Sequence, residues 1–246
     1  MSQAEPRVCA VIGAGDGLGA AISRAFAREG LTVCLTRRPR HAEALEKLAE
    51  SIRDEGGDAR AFPLDARKEV DVASFIDRIE QSIGPLEVLV FNIGANVRFP
   101  VVETTTQVYS KVWEMACLAG FHAAREAARV MTPRGRGAML FTGATASVRG
   151  GAGFSAFAGA KHGLRALAQS LARELGPKGI HVAHVVIDGA IDGAFIRGLM
   201  PDAAEKRERE EILVPDEIAR NYVWLWRQGR SAWTFEMDLR PWKESW

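Results

Sequence analysis

Along the chain, short runs of consecutive apolar residues alternate with longer stretches whose apolar positions recur every three or four residues. The runs are Val8 to Ile12, Leu31 to Leu35, Ala61 to Leu64, Val88 to Phe91, Ala138 to Thr142 and Ile180 to Ile187. Each has strand length and is bounded by glycine, proline or charged residues. Between them, the helical period covers Ala20 to Gly30, Glu43 to Arg53, Val70 to Ile83, Gln107 to Met131 and Ala152 to Leu175. Gly84-Pro85 and Gly176-Pro177 stop two of these helices, because glycine suits the residue after a helix end and proline cannot continue one. Ile180 to Ile187 is nearly all apolar, as expected of a central parallel strand covered on both faces. Phe235, Met237 and Leu239 alternate with Thr234, Glu236 and Asp238, which predicts a last strand with one drier face. Strands alternating with helices predict an α/β fold: one doubly wound parallel sheet, helices on both faces, right-handed crossovers. No repeat or linker breaks residues 1–246, so a single domain is expected.

Two segments depart from the rhythm. Gly193 to Val214 follows the carboxyl end of a strand, which makes it a candidate substrate lid over the crevice where such sheets bind ligands. Within it, Lys206 to Glu211 (KREREE) reads as a solvated helix face. Residues 231–246 form the last strand and a tail carrying Trp233, Trp242 and Trp246, aromatics expected to pack rather than float.

Candidate chemistry begins at Gly13 to Gly19, GAGDGLG, between the first strand and its helix. In a strand–turn–helix–strand unit, glycines let the backbone approach a pyrophosphate, and the helix N-terminus offers unpaired N–H groups. This Rossmann-like arrangement predicts dinucleotide binding. The second strand runs into Arg37 and Arg38, where an acidic residue would bind a ribose 2′-hydroxyl and arginine accommodates a 2′-phosphate. NADP(H) is therefore expected over NAD(H), with Asp16 inside the turn placing an opposing negative charge nearby. A net charge of +1 excludes a nucleic-acid footprint. No apolar run approaches the ~18 residues needed to span a bilayer. The opening MSQAEPR lacks a basic lead into an apolar core, which predicts a cytoplasmic protein. Cys9, Cys34 and Cys117 sit in apolar runs and read as buried, reduced thiols. No metal is expected.

Together these stretches resemble the short-chain dehydrogenase/reductase family over nearly the whole chain. Gly13-x3-Gly17-x-Gly19 matches its cofactor turn, Asp65 the adenine-contacting Asp, and Phe91-Asn92-Ile93-Gly94 its NNAG motif with the second Asn and the Gly intact. Phe157-x3-Lys161 lies where YxxxK belongs. The resemblance assigns cofactor contacts to Gly13, Gly15, Asp16, Gly17, Leu18, Gly19, Arg37, Arg38, Asp65, Asn92, Gly94, Lys161, Gly189 and Ile191. It also implies a homodimer or homotetramer paired through the two long helices. There the small residues Ala116, Ala119, Gly120, Gly159, Ala160 and Gly163 permit close contact.

In that family a Tyr exchanges the carbonyl proton, a Lys lowers the Tyr pKa and holds the nicotinamide ribose, a Ser binds the substrate oxygen and an Asn supports a water relay. Of these, only Lys161 remains. The Tyr position is Phe157, the Ser position Ala144 (or Gly143 if the loop differs by one), and the Asn position Ala116. The proline-glycine after the sixth strand is Asp188-Gly189, and the Thr that would follow is Gly193. General acid–base help is worth roughly 10² to 10⁴ in rate and oxyanion stabilisation on the order of 10² to 10³. The usual mechanism is therefore missing its parts. Among substitutes, His162 is expected to face a neighbouring segment, Thr145 to be close enough to donate a hydrogen bond, and Tyr109 to line the substrate mouth. Asp188 reads as a strand-end carboxylate capping backbone N–H groups, with a desolvated acid beside the nicotinamide as the alternative. Two functions follow: an NADP(H)-binding protein with an emptied tetrad, serving as sensor, scaffold or partner subunit, or a divergent oxidoreductase acting on a small alcohol or carbonyl with a non-standard proton donor.

Overall fold

The computed structural model describes residues 7–244. Seven strands form one parallel sheet in the order β3-β2-β1-β4-β5-β6-β7. They are β1 (Val8–Ile12), β2 (Thr32–Arg37), β3 (Asp58–Pro63), β4 (Leu86–Phe91), β5 (Gly137–Thr142), β6 (Ile180–Ile187) and β7 (Glu236–Leu239). The helices are α1 (Leu18–Arg28), α2 (Ala42–Asp54), α3 (Glu69–Ser82), α4 (Thr106–Trp113), α5 (Ala119–Met131), α6 (Ser155–Leu175), α7 (Ala194–Leu199), α8 (Ala203–Glu208) and α9 (Pro215–Arg227).

Because side chains alternate across a strand, the two faces of β1 feed two cores. Cys9 and Val11 pack with α1, α2 and α9, through Phe26, Leu45, Ile52 and the buried Tyr222. Val8, Ala10 and Ile12 pack with α3, α5 and α6, through Ile76, Ala123, Leu164 and Ala168. β6 is buried at every position, as its unbroken apolar run requires. The strand order reverses at β1, which has β2 on one side and β4 on the other. This opens a crevice at the strands' carboxyl ends.

Several element bounds differ from expectation. β3 starts at Asp58, pairs from Thr32 opposite Asp58, and stops before Leu64. Only Ala59 in it is buried, so the polar Asp58 and Arg60 of an edge strand masked its beginning. The long helix is helical from Thr106 to Met131 but passes through a π-helical turn at Glu114–Leu118. The helix expected from Ala152, α6, begins at Ser155, since Gly153 at φ 85° holds the preceding turn out of helix. α9 has no counterpart in the periodicity reading, because Trp224 stands out in solvent and blurs its stripe. No helix among the described residues is long and apolar enough to cross a membrane.

The tail is anchored unevenly. Trp233 stacks on His181 at 4.9 Å, while Trp242 lies open with its indole N–H on Glu210, 3.0 Å away. Trp246 is outside the described residues. The three cysteines are free and buried.

Candidate functional site

A cavity of about 730 Å³ lies at the carboxyl ends of β1, β4, β5 and β6. It gathers Asp16, Gly17, Leu18, Asn92, Gly94, Lys161, Gly189 and Ile191 of the sequence-derived set. Gly13, Gly15 and Gly19 shape the turn behind it. Gly13 has φ 98°, and a Cβ there would meet the Asn92 carbonyl at 2.9 Å; a Cβ on Gly19 would meet the Gly13 carbonyl oxygen at 2.5 Å. Asn92 braces the same turn, donating from Nδ2 to the Gly13 carbonyl at 3.1 Å. α1 starts at this turn with no side-chain cap, so its first N–H groups have no partner within the helix.

The arginines stand apart from the main cavity. Arg37 lines a smaller recess of about 200 Å³ with Asp16, and Arg37 Nη2 is 3.6 Å from Asp16 Oδ1. Burial, then Arg40 and Arg67, push the Arg38 guanidinium below its ordinary pKa. Asp65 is taken up by Arg67, which donates to it at 2.9 Å from Nε and 2.5 Å from Nη2. That pair holds the Asp65 carboxyl below its ordinary value.

Lys161 does not send its head to water. Its Nζ is buried and donates to the carbonyls of Ile93 (3.0 Å) and Thr142 (2.8 Å). Burial pulls its pKa down to about 7. Phe157, at the position the resemblance gives to Tyr, has its ring centroid 5.9 Å from that ammonium. Phe157 and Ala116 belong to one buried apolar cluster with Val112, Cys117, Ala146 and Ala160, and Ala144 packs against it. The π-helical turn therefore presents Ala116 to hydrocarbon, and Ala116 does not reach the cavity.

The substitute donors sit elsewhere than expected. His162 is exposed, and its Nδ1 bonds to the Ala158 carbonyl of its own helix at 2.9 Å. Tyr109 lies against Gly159 instead of lining the cavity mouth. Asp188 caps no backbone N–H with its carboxylate: the Thr145 hydroxyl donates to Oδ1, and Arg240 Nη2 lies 3.2 Å from Oδ2. Thr145 thus gives its proton to Asp188. The small residues of the long helices are used within the chain, since Ala116, Ala119, Gly120 and Ala160 are buried and a Cβ on Gly120 would strike Leu164 at 2.6 Å.

Over the cavity, Asp192 holds the 193–214 segment. Arg197 of α7 donates to it at 2.8 and 3.1 Å, and Arg207 of α8 lies 2.8 Å away. Arg207 belongs to KREREE, so that run is not simply a solvated face. Arg197, then Arg207, hold the Asp192 carboxyl below its ordinary value.

The short chain dehydrogenase family model matches residues 7–199. The chain belongs to the short-chain dehydrogenase family. It is 34% identical over 202 residues to the uncharacterized oxidoreductase YxjF of Bacillus subtilis (strain 168), covering 82% of this chain and 77% of that protein. The crystal structure of a short-chain dehydrogenase from Rhodopseudomonas palustris is 49% identical and superposes with a TM-score of 0.82, covering 96% of this chain and 99% of that one. An actinorhodin polyketide ketoreductase variant solved with NADPH shares the fold at a TM-score of 0.86 and 21% identity, covering 96% of each chain. Against this short-chain dehydrogenase frame, sequence reasoning missed Asp192 with its arginines, the Thr145–Asp188–Arg240 contact, and Asn96, Arg149 and Phe154 of the cavity wall. Their only sequence signal was the departure of Asp188 from the family's proline.

Proposed function

We propose that this chain binds NADP(H) along the carboxyl edge of its sheet and does not carry out the family's tyrosine-dependent carbonyl chemistry. The observation that carries this reading is Phe157, which stands beside Lys161 in place of the Tyr and closes an apolar cluster with Ala116. A phenyl ring has no proton to give, and neither alanine can hold an oxyanion.

The residues suit a dinucleotide. A Cβ on Gly17 would meet nothing within 4 Å, which leaves open space before the uncapped start of α1 for a pyrophosphate. Gly13, Gly15, Asp16, Leu18 and Gly19 would form that cradle, Arg37 and Arg38 would take the 2′-phosphate, and Asp65 would flank the adenine. Asn92, Gly94, Gly189, Ile191 and Lys161 would hold the nicotinamide half, Lys161 by its remaining N–H. When bound, the nicotinamide supplies or accepts hydride; the ketoreductase neighbour was solved with NADPH. A homodimer or homotetramer and a cytoplasmic setting complete the reading, the first tested by light scattering.

A second reading, a divergent oxidoreductase of small alcohols or carbonyls, is favoured by Lys161, whose pKa of about 7 allows proton exchange near neutrality.

The test is a titration with NADPH and NADH followed by a carbonyl panel. NADPH is expected to bind more tightly, because a 2′-phosphate gains charge-assisted hydrogen bonds from arginine, and replacing Arg37 and Arg38 by Ala selectively weakens it. Equal affinities sink the NADP(H) assignment. Ketone reduction is expected at background and to rise in the Phe157→Tyr, Ala144→Ser double variant. A native turnover of ~1 to 10³ s⁻¹ on a simple carbonyl removes the first reading and leaves the second.

A further inference from the structure

Asp188 follows β6 and is buried beside the cavity wall. Two guanidinium groups face it, Arg240 Nη2 at 3.2 Å from Oδ2 and Arg149 Nη2 at 3.9 Å from Oδ1. The Thr145 hydroxyl donates to Oδ1. A carboxylate between guanidinium groups only accepts, so the single Thr145 proton has a fixed destination. What Thr145 has left are lone pairs, and Thr145 is part of the cavity wall. Of the neighbouring hydroxyls, Thr142 is paired with buried Tyr222 at 2.7 Å, and Ser147, which accepts from the Ala144 N–H at 3.1 Å, is fully buried outside the cavity wall. Lys161 has two of its three N–H directions on backbone carbonyls, and Arg149 is more than half exposed.

We infer that Thr145, oriented by Asp188 and Arg240, is a hydrogen-bond acceptor for the cavity's ligand, which is therefore a small molecule whose polar end donates: an alcohol in preference to the matching ketone. The family's Ser donates to a substrate oxygen; here the hydroxyl one residue after Ala144 faces the opposite way in hydrogen-bond sense. An alcohol O–H finds a lone pair on Thr145, whereas a ketone oxygen meets lone pairs with lone pairs. Thr145 is the specificity-determining group, and Asp188 and Arg240 are positioning residues. The inference rests on the reading of this cavity as the ligand site.

Binding of 1-phenylethanol and acetophenone, a matched alcohol and ketone, is measured by saturation-transfer NMR on the full chain, first without cofactor and then with NADP⁺. The alcohol is expected to bind about tenfold more tightly, the equivalent of roughly 1.4 kcal/mol. Thr145→Val preserves the side chain's shape without its oxygen and abolishes the preference, whereas Thr145→Ser keeps it. Asp188→Asn is the sharper variant. Its one carbonyl oxygen is claimed by Arg240 and its amide N–H₂ faces Thr145 as a donor. That frees the Thr145 proton for the cavity and moves the preference toward acetophenone, a reversal that a merely structural Asp188 does not produce. Melting temperatures establish that each variant is folded. Wild type that binds both probes alike, only the ketone, or neither overturns the inference, as does a preference that survives in Thr145→Val. NADP⁺ that fails to bind counts against the proposed cofactor function and leaves the cofactor-free comparison standing.

Discussion

At the scale of a single residue, Lys161 carries two separable burdens. Its ammonium sits among apolar groups on two carbonyls, and burial lowers its pKa from 10.5 to about 7. Between those values the unfolded chain holds the proton and the folded chain has released it. Stability therefore rises as pH climbs through that window and is flat below it. Lys161→Met, which keeps most of the stem, is expected to remove this rise; denaturant unfolding at the two ends of the window reads it. A parallel slope in wild type and variant contradicts a buried ammonium. The same variant is expected to bind NADPH about tenfold more weakly, since a charged donor's hydrogen bond contributes roughly 1.5 to 3 kcal/mol. Asp16 is the opposing residue: 3.6 Å from Arg37, it competes with any 2′-phosphate for that guanidinium.

At the scale of elements, α7 and α8 are short helices that could not hold themselves over the cavity. Asp192, buried at the end of the loop after β6, ties both down through Arg197 and Arg207. From outside, Lys243 donates to the Arg209 carbonyl at 2.7 Å and Trp242 to Glu210. Asp192→Asn keeps the shape of the anchor without its charge and is expected to release the segment locally. Limited trypsin digestion then cuts at Arg197 and Arg207 roughly tenfold faster, the low end of the about 1.5 to 3 kcal/mol a charged hydrogen bond contributes, because both arginines are more than half exposed. The melting temperature changes little, because the exposed arginines turn to water. Unchanged cleavage kinetics would show that the segment is held by packing alone.

At the scale of the molecule, the last strand is joined to the sheet by a charged network as well as by its ladder. Arg165 of α6 grips Glu236 of β7 at 2.6 and 2.7 Å, and His184 of β6 bonds the same carboxylate through Nδ1 at 3.0 Å. Burial lowers the His184 pKa from 6.5 to about 4, against the pull of Glu236. Below pH 6.5 the unfolded chain takes up a proton that the folded chain refuses until about pH 4. Stability consequently falls as pH drops through that interval. Glu236, held low first by Arg165, adds to the loss in the same direction. His184→Asn is expected to flatten the acid limb of the stability curve between those pH values. An acid limb as steep as wild type would place the titrating group elsewhere.

The sequence by itself determined what is local. The apolar run of β6 and the three- and four-residue stripe of α6 specify their elements because burial on two faces or on one leaves a period in the residues. The glycine turn could be recognised because only glycine tolerates φ 98° at Gly13 and the close approach at Gly19. Phe157, Ala144 and Ala116, on which the proposed loss of the family's chemistry rests, could be picked out because each falls at a fixed spacing in the motifs the chain resembles. Periodicity failed at β3, an edge strand with polar ends, and at α9, whose Trp224 faces water. Only the tertiary structure decided the partners of the polar groups. Thr145 and Asp188 are separated by 43 residues, and Arg240 comes from the tail beyond β7. No spacing rule joins them, because a side chain's proton goes to whichever acceptor the packed sheet brings within reach. The same holds for KREREE, where a run that reads as solvent-facing gives Arg207 to Asp192. A charge pattern reports what a helix can afford to expose, whereas the fold determines which of those charges meets a buried carboxylate.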